Sequence, residues 1–463
     1  MNKYHSSISR RDFLKSLGLG ALACGAAPVL FPARAVHDLD EIMASPAAVS
    51  MRPSYIREVE KPTVDIDWTA MNRFDYSKVV WASGLQKALG TSQYLHVMEA
   101  QRNNRLSRLK ANTPGYTLKD DAFVNATYFA PTSFIGPTTN QTPGDLGVPV
   151  YEGKPEENAR MIRAFMRFHG AAEVGFVELD SLTTEKLVYS YDTGTGASQG
   201  LKLTFSDATQ ASETKTERII PRKARWVIVY TIRMADQLVQ SAPTQMIMAP
   251  TENAYNLKSI IQGQLQLFLR GLGYMGLGEA NPYDSLGSSV GFGIMAGLGE
   301  HSRTMHMVTP VYGVRQRVFK LITDLPLAPG KPVDFGVMRF CRICKKCADH
   351  CPSGAIPKDT ETSWNIRGDY QQTGIKSWHR DEAACLTNIK IMGYSEGCST
   401  CFAVCPLSRG INGTIFRNIL NNAIATAPSL DKAVKMLDGL MGNGLNKNPD
   451  EFWDLDLPPF GWE

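Results

Sequence analysis

The sequence predicts an α/β (α+β) core followed by a small cysteine-rich unit, and two observations predict that order. Segments of helical period alternate with segments rich in β-branched and aromatic residues between Lys154 and Arg270, and eight of the nine cysteines lie between Cys341 and Cys405.

Each element of the core has its own signal. Lys154-Pro155-Glu156-Glu157 puts proline in a first helical turn and two acids at the positive end of the dipole, so a helix starts there and runs to about Gly170. Met161, Ile162, Phe165, Met166 and Phe168 mark its apolar residues, with Arg160, Arg163 and Arg167 on the other sides. Val174–Leu179 and Arg225–Ile232 read as strands. The polar, Thr/Ser/Gly-rich stretch from Ser190 to Arg218 between them reads as an insertion. A second helix fits Tyr255–Arg270, with Leu257, Ile260, Ile261, Leu265 and Phe268 at helical spacing. Glycine is dense at Gly271–Gly276, at Gly291–Gly299 and at Tyr312-Gly313. The first stretch matches G-x-G-x-x-G but follows a helix, whereas a dinucleotide fingerprint follows a strand. These glycines suit turns, or close approach of backbone to a large flat ligand.

Ahead of the core, residues 36–147 read as an irregular N-terminal unit with no sustained period. Residues 1–35 read as an export signal. Ser9-Arg10-Arg11-Asp12-Phe13-Leu14-Lys15 precedes a weakly apolar stretch, Leu17–Phe31, and then Ala33-Arg34-Ala35, the order of a twin-arginine leader. The apolar part falls short of the roughly 20 residues that span a bilayer. Cleavage would remove five basic and one acidic residue and leave 44 of each sign, so the whole-chain excess of 49 Lys+Arg over 45 Asp+Glu belongs to the leader. Balanced charge gives no case for nucleic acid as a partner.

The cysteines carry the most specific signal. Cys341, Cys344, Cys347 and Cys351 are spaced C-x2-C-x2-C-x3-C before Pro352, and Cys398, Cys401 and Cys405 are spaced C-x2-C-x3-C before Pro406, with Cys385 upstream. This is the bacterial two-[4Fe-4S] ferredoxin spacing with one ligand displaced. Cysteine at every third residue wraps three thiolates around a cubane, and the fourth comes from elsewhere. The usual crossing predicts Cys341, Cys344, Cys347 and Cys405 around one [4Fe-4S] cluster and Cys351, Cys385, Cys398 and Cys401 around the other. Disulfides or a pair of structural zincs are the alternatives. Two neighbouring clusters form an electron wire, so the long upstream region should hold the acceptor.

Further short motifs stand in a fixed order: Asp65-Ile66-Asp67-Trp68, Asn112-Thr113-Pro114-Gly115-Tyr116, Gly153-Lys154-Pro155-Glu156-Glu157-Asn158, Gly297-Leu298-Gly299-Glu300 and Thr323-Asp324-Leu325-Pro326-Leu327. With the leader and the cysteine runs, they resemble the catalytic subunits of respiratory reductive dehalogenases. The resemblance covers nearly the whole chain. It implies a nitroreductase-like core, residues 148–189 and 221–330 around an insertion at 190–220, that binds a corrinoid (a cobamide, base-off). A two-[4Fe-4S] ferredoxin-like unit over 331–408 and a C-terminal unit over 409–463 would follow. Asp349-His350 lacks the D-x-H-x-x-G spacing of histidine-ligated corrinoid proteins, in keeping with the base-off form.

The implied reaction replaces a halogen of a small organohalide (chlorinated alkene, alkane or aromatic) by hydrogen, in organohalide respiration. Implied partners are a small integral membrane anchor subunit and an upstream electron donor of the respiratory chain. The implied place is the outer face of the cytoplasmic membrane, peripherally attached. By resemblance Tyr255 is the proton donor, Arg303 its cation with Arg317 as the rival, and Asn281 a polar pocket residue. Thr251, Trp364 and Tyr370 are implied to line the substrate pocket. Two other readings compete: an exported iron-sulfur electron-transfer protein without corrinoid, and an epoxyqueuosine-reductase-like corrinoid reductase, against which the leader argues.

Overall fold

Trp226–Tyr230 is an apolar run too continuous to leave a face in water, and in the strand Trp226–Arg233 all but the first residue are buried. The computed structural model that places it describes residues 56–111, 113–116, 133–138, 142–146, 150–193, 200–280, 285–393, 397–408, 422–440, Leu445, 448–455 and 459–461. The export signal and Asn281 lie outside the described residues, as does much of the C-terminal unit.

The helices used below are α1 (Thr91–Lys110), α2 (Pro155–Phe168), α3 (Asp236–Gln240), α4 (Met248–Leu272), α5 (Ser289–Met295), α6 (Val337–Cys344), α7 (Glu382–Ile391) and α8 (Thr400–Ala403). The strands are β1 (Glu173–Glu178), β2 (Lys202–Ser206), β3 (Ser212–Glu213), β4 (Glu217–Pro221), β5 (Trp226–Arg233), β6 (Gly276–Leu277) and β7 (Gln316–Thr323). The central sheet has the order β1-β5-β7-β6, and every neighbouring pair is antiparallel. The architecture is therefore the α+β form of the expectation.

Side chains alternate across β5 and β7, as the period of a strand requires. Val227, Val229 and Ile322 face a core completed by Leu187, Leu203, Ile220 and Phe292. Ile228, Tyr230, Phe319 and Leu321 face a second core, closed by Ile162 and Met166 of α2 and by Ile261, Leu265 and Leu269 of α4. The sheet is thus covered on both faces, which explains why β5 reads as one apolar run. The insertion folds as a small sheet of order β2-β4-β3, pinned by the buried ion pair between Arg218 and Asp192.

Helix α4 begins seven residues before the expected Tyr255. Met248, Ala249, Pro250, Thr251 and Glu252 are all buried, so its first turns show no amphipathic period. Gly273, at φ +97°, ends α4 in the left-handed conformation, and β6 follows at Gly276. The G-x-G-x-x-G match is therefore a helix-to-strand junction. A Cβ at Gly299 would lie 2.2 Å from the Val308 carbonyl oxygen, and one at Gly293 2.6 Å from Met307 Sδ. At these two positions the close approach is to the chain itself, which corrects the expectation of a ligand-facing glycine surface there.

The N-terminal segment is built into the rest. Ile66 bridges Ile375, and Asp67 N–H donates to the Gly374 carbonyl. Arg73 donates to the carbonyls of Val188, Tyr189 and Leu203, and α1 packs on α7. Ser54–Glu463 forms one compact unit. Among the described residues no helix is long and apolar enough to cross a membrane.

Candidate active site

The two cysteine runs fold alike because each turns sharply at the same place. Lys345 follows Cys344 at φ +55°, and Ser399 follows Cys398 at φ +46°. A left-handed residue there ends one turn of chain and starts the next, in the short helix Lys346–Asp349 for Cys347 and in α8 for Cys401. The helix α6 that carries Cys341 and Cys344 starts on a buried carboxylate. Glu300 accepts from the Phe335 and Val337 N–H groups at 2.6 and 3.1 Å, satisfying donors that a helix start leaves open.

The thiols gather in two groups. Cys344 and Cys405 are the thiols whose charge weighs on Cys341, and Cys347 feels Cys341, Cys405 and Cys344 together with Cys401. Cys385 feels Cys398 and Cys351, and Cys401 feels Cys398, Cys385 and Cys351. The fourth cysteine of each run thus sits with the other run. Burial, then the neighbouring thiols, push Cys347 and Cys401 far above the ordinary thiol range, and Cys385 is pushed up to about 11, chiefly by burial. Buried thiols that feel one another need strongly positive metal to persist as thiolates, which is the chemistry of an iron-sulfur cluster.

Beside this unit lies a phenol. Tyr255 stands on α4 one turn after Thr251, and both meet the opening residues of β7. The Arg317 guanidinium lies 5.8 Å from the centre of the Tyr255 ring and donates to Thr251 Oγ at 3.0 Å. Thr251 in turn donates to the Ile247 carbonyl at 3.3 Å, which fixes its oxygen toward Arg317. Phe319, two residues along the same face of β7, meets the Tyr255 ring edge-on at 5.5 Å. On its far side Arg317 lies 6.0 Å from the ring of Phe402, which directly follows Cys401. Phenol, guanidinium and cluster-binding helix α8 are consecutive neighbours.

Arg303 is elsewhere. Its Nε and Nη2 donate to the Cys341 carbonyl at 3.1 and 2.9 Å, and its Nη1 to the carbonyls of Pro357 and Asp359 at 2.7 and 2.8 Å. Its plane lies 4.3 Å from the Trp378 ring centre. The expectation that Arg303 is the cation beside Tyr255 is corrected: among the described contacts that place belongs to Arg317. The two arginines were indistinguishable locally, because only β7 pairing with β5 decides which one points at α4.

Trp364 and Tyr370 are not brought to Tyr255 in any described contact. Trp364 is 44% exposed, with the Lys376 ammonium 5.9 Å from its ring. Tyr370 donates to Asp381 Oδ1 at 3.4 Å, and burial together with Asp381 and Glu382 pushes its phenol up to about 12. It lines a groove of about 920 Å³ with Lys87, Arg367, Asp369 and Asn388.

Other residues do gather near Tyr255. Burial is the largest influence on the ionisation of Tyr76, Tyr189, His306, Arg380 and Glu382, and each keeps some accessible surface. Tyr76 stacks on Tyr189 at 4.4 Å and 10°, and its phenol feels the charges of Tyr189 and Tyr255. His306, held well below the usual imidazole range by burial and by Arg380 and Arg317, sets its ring 4.7 Å from Phe402. Arg317 Nε and Arg380 Nε are buried without a protein acceptor. None of these residues carries a motif. They come from the N-terminal segment, the insertion edge, the second part of the core and the cysteine unit, and only folding collects them.

Two adjacent residues under the cluster unit titrate in opposition. Burial raises the Glu300 carboxyl from 4.5 to about 7, and burial followed by His379 lowers His301 from 6.5 to about 4. Glu300 therefore contributes stability that is present below pH 4.5 and lost as pH rises through about 7. The His301 contribution is present above pH 6.5 and lost as pH falls through about 4. Between pH 4.5 and 6.5 the two cancel. In that window Glu300→Gln is expected to make unfolding stability fall with acid by an extra amount of about 1.4 kcal/mol per pH unit. Urea unfolding of parent and variant at two pH values inside the window measures it, and equal slopes would refute the coupling.

Comparison with known proteins gives the family. The reductive dehalogenase subunit family matches residues 51–130 and 129–327, and the 4Fe-4S double cluster binding domain matches residues 340–408. Trichloroethene reductive dehalogenase of Dehalococcoides mccartyi is 25% identical over 98% of this chain and 98% of its own. Tetrachloroethene reductive dehalogenase of Sulfurospirillum multivorans is 35% identical over 56% of this chain and 50% of its own. The solved catabolic reductive dehalogenase NpRdhA, in complex with 3-bromo-4-hydroxybenzoic acid, superposes with a TM-score of 0.60 at 22% identity over 86% of this chain. This chain spans about half of that structure, 51%. With the family match covering more than half of its length, the chain belongs to the reductive dehalogenase subunit family, oxidoreductases that act on carbon–halogen bonds.

Proposed function

We propose that this protein reduces a small chlorinated alkene, R–X + 2e⁻ + H⁺ → R–H + X⁻, in organohalide respiration, with a base-off corrinoid and two [4Fe-4S] clusters as its cofactors. The observation that carries the reading is the row Tyr255, Arg317, Phe402, Cys401, in which a proton source abuts an electron supply. The trichloroethene and tetrachloroethene named for its relatives support the substrate class.

The residues gathered beside Tyr255 suit a corrinoid. Aromatic faces at Tyr76 and Tyr189 match a flat ring, and the unspent Nε donors of Arg317 and Arg380 match its amide fringe. Tyr76, Tyr189, Arg317 and Arg380 would hold it. When bound, the corrinoid would supply low-potential reducing chemistry for the carbon–halogen bond.

The chain's own residues handle the proton. A phenol, with an ordinary pKa of about 10, stays protonated at neutral pH and gives its proton only to a strongly basic carbon. Tyr255 holds that proton on its hydroxyl. Arg317 stabilises the phenolate left behind, and its bond to Thr251 keeps the guanidinium oriented. Asn281, which follows β6 in sequence, would be a polar pocket residue.

Export of the folded protein by the twin-arginine leader would bring it to the outer face of the cytoplasmic membrane. There a small integral anchor subunit would hold it and a respiratory donor would feed it.

Metal analysis of anaerobically purified, corrinoid-reconstituted protein tests the reading. About one cobalt with about eight irons per chain is expected, together with halide release from trichloroethene. Iron without cobalt after every reconstitution would reduce the protein to an iron-sulfur conduit.

A further inference from the structure

Each cysteine group has a guanidinium of its own. Arg303 is 1% exposed and lies against the group of Cys341, Cys344, Cys347 and Cys405, with two of its hydrogen bonds on the Cys341 carbonyl. Among the described residues its four hydrogen bonds all go to backbone carbonyls and none to a carboxylate, and the Asp359 charge acts on it only as the last of its electrostatic influences, so its charge is oriented by carbonyls and not paired directly. Trp378, whose indole N–H donates to the Asp359 carbonyl at 3.0 Å, holds it from one side.

Arg380 stands to the other group as Arg303 does to the first. It precedes Asp381, whose carbonyl accepts from the Cys385 N–H at 3.0 Å. Its Nη1 donates to the Thr304 carbonyl at 3.4 Å, one residue from Arg303. Here a carboxylate is present: Glu382 lies 3.6 Å from Arg380 Nη2. The charges of Cys385, Cys401 and Cys351 all act on Arg380, whereas those of Cys341, Cys347 and Cys344 act on Arg303.

We infer that Arg303 and Arg380 set the reduction potentials of the two clusters separately, Arg303 with no carboxylate paired to it directly and Arg380 with a charge partly offset by Glu382. The physical reason is the charge of the redox step. Each cluster takes up one electron and no proton, so its reduced form carries one more negative charge. A fixed cation at close range in a dry site stabilises that form more than the oxidised one and raises the potential. This inference rests on the two-cluster reading above. It makes Arg303, outside the proton site, a positioning residue for electrons.

EPR-monitored redox titration with titanium(III) citrate, on anaerobic full-length protein of measured iron content, tests it. Arg303→Gln is expected to lower one midpoint by at least tenfold in the oxidised-to-reduced ratio, which is about 59 mV for one electron, and to leave the other in place. Arg303→Lys keeps the charge and should leave both midpoints near those of the parent. Glu382→Gln should raise the midpoint that Arg303→Gln leaves untouched, and Arg380→Gln should lower it. Two midpoints moving together, no movement, or Arg303→Lys shifting as far as Arg303→Gln would overturn the inference. If Arg303→Gln loses iron, Glu382→Gln decides: a rise in one midpoint supports the assignment and an unchanged pair overturns it. A parent protein with iron for only one cluster would instead sink the two-cluster reading.

Discussion

Replacing Tyr255 by phenylalanine is expected to lower kcat by roughly 10²–10⁴-fold, the usual worth of a positioned proton donor, with iron and corrinoid content unchanged. The variant removes one oxygen and keeps the ring, so the edge-on contact with Phe319 and the guanidinium of Arg317 above the ring both survive. A loss of turnover in Tyr255→Phe therefore reports on the hydroxyl, not on packing. Arg317→Gln should act on the same step, by roughly 10²-fold, because a guanidinium that stabilises a developing phenolate serves as a preorganised charge. Arg303→Gln should leave the proton step alone, since Arg303 is bound to the carbonyls of the cysteine unit. Single-turnover kinetics with prereduced enzyme separates the two arginines. Wild-type turnover in Tyr255→Phe would remove Tyr255 from the donor role, and an unaltered rate in Arg317→Gln would remove its cation.

Cysteine substitutions should fall into two classes that cross the sequence order. Cys405→Ser is expected to damage the same cluster as Cys341→Ser, and Cys351→Ser the same cluster as Cys385→Ser, each with loss of about half of the iron. The thiols repel one another in those groups, with Cys405 beside Cys341 and Cys351 beside Cys385. Iron content and low-temperature EPR of the reduced variants assign each substitution to a class. If Cys351→Ser shared the spectrum of Cys341→Ser, the ligand runs would be uncrossed and the crossed pairing would fail.

Part of the fold was legible locally. The strand read at Arg225–Ile232 announced itself by its Val, Ile and aromatic residues, and α2 by proline and acids at its first turn, because those signals depend on neighbours in sequence, whereas α1 and β7 carried no such signal. The start of α4 did not, since burial on every side erased the period on which such a reading depends. The spacing of the cysteines determined the cluster-binding chemistry for a similar reason: a loop that wraps a cubane must repeat its ligand every third residue.

Which arginine meets Tyr255 was decided only in three dimensions. Arg303 and Arg317 are both arginines in loop-rich sequence, and the pairing of Arg317 with Ile232 across β7 and β5 is what turns one of them toward α4. The grouping around Tyr255 is likewise a tertiary product, since Tyr76, Tyr189, His306 and Arg380 come from four separated segments. The sequence by itself determined what this chain can ligate, because ligand spacing is a local property. The tertiary structure alone decided where charge and proton stand relative to those ligands, because long-range strand pairing sets such distances and no local pattern encodes them.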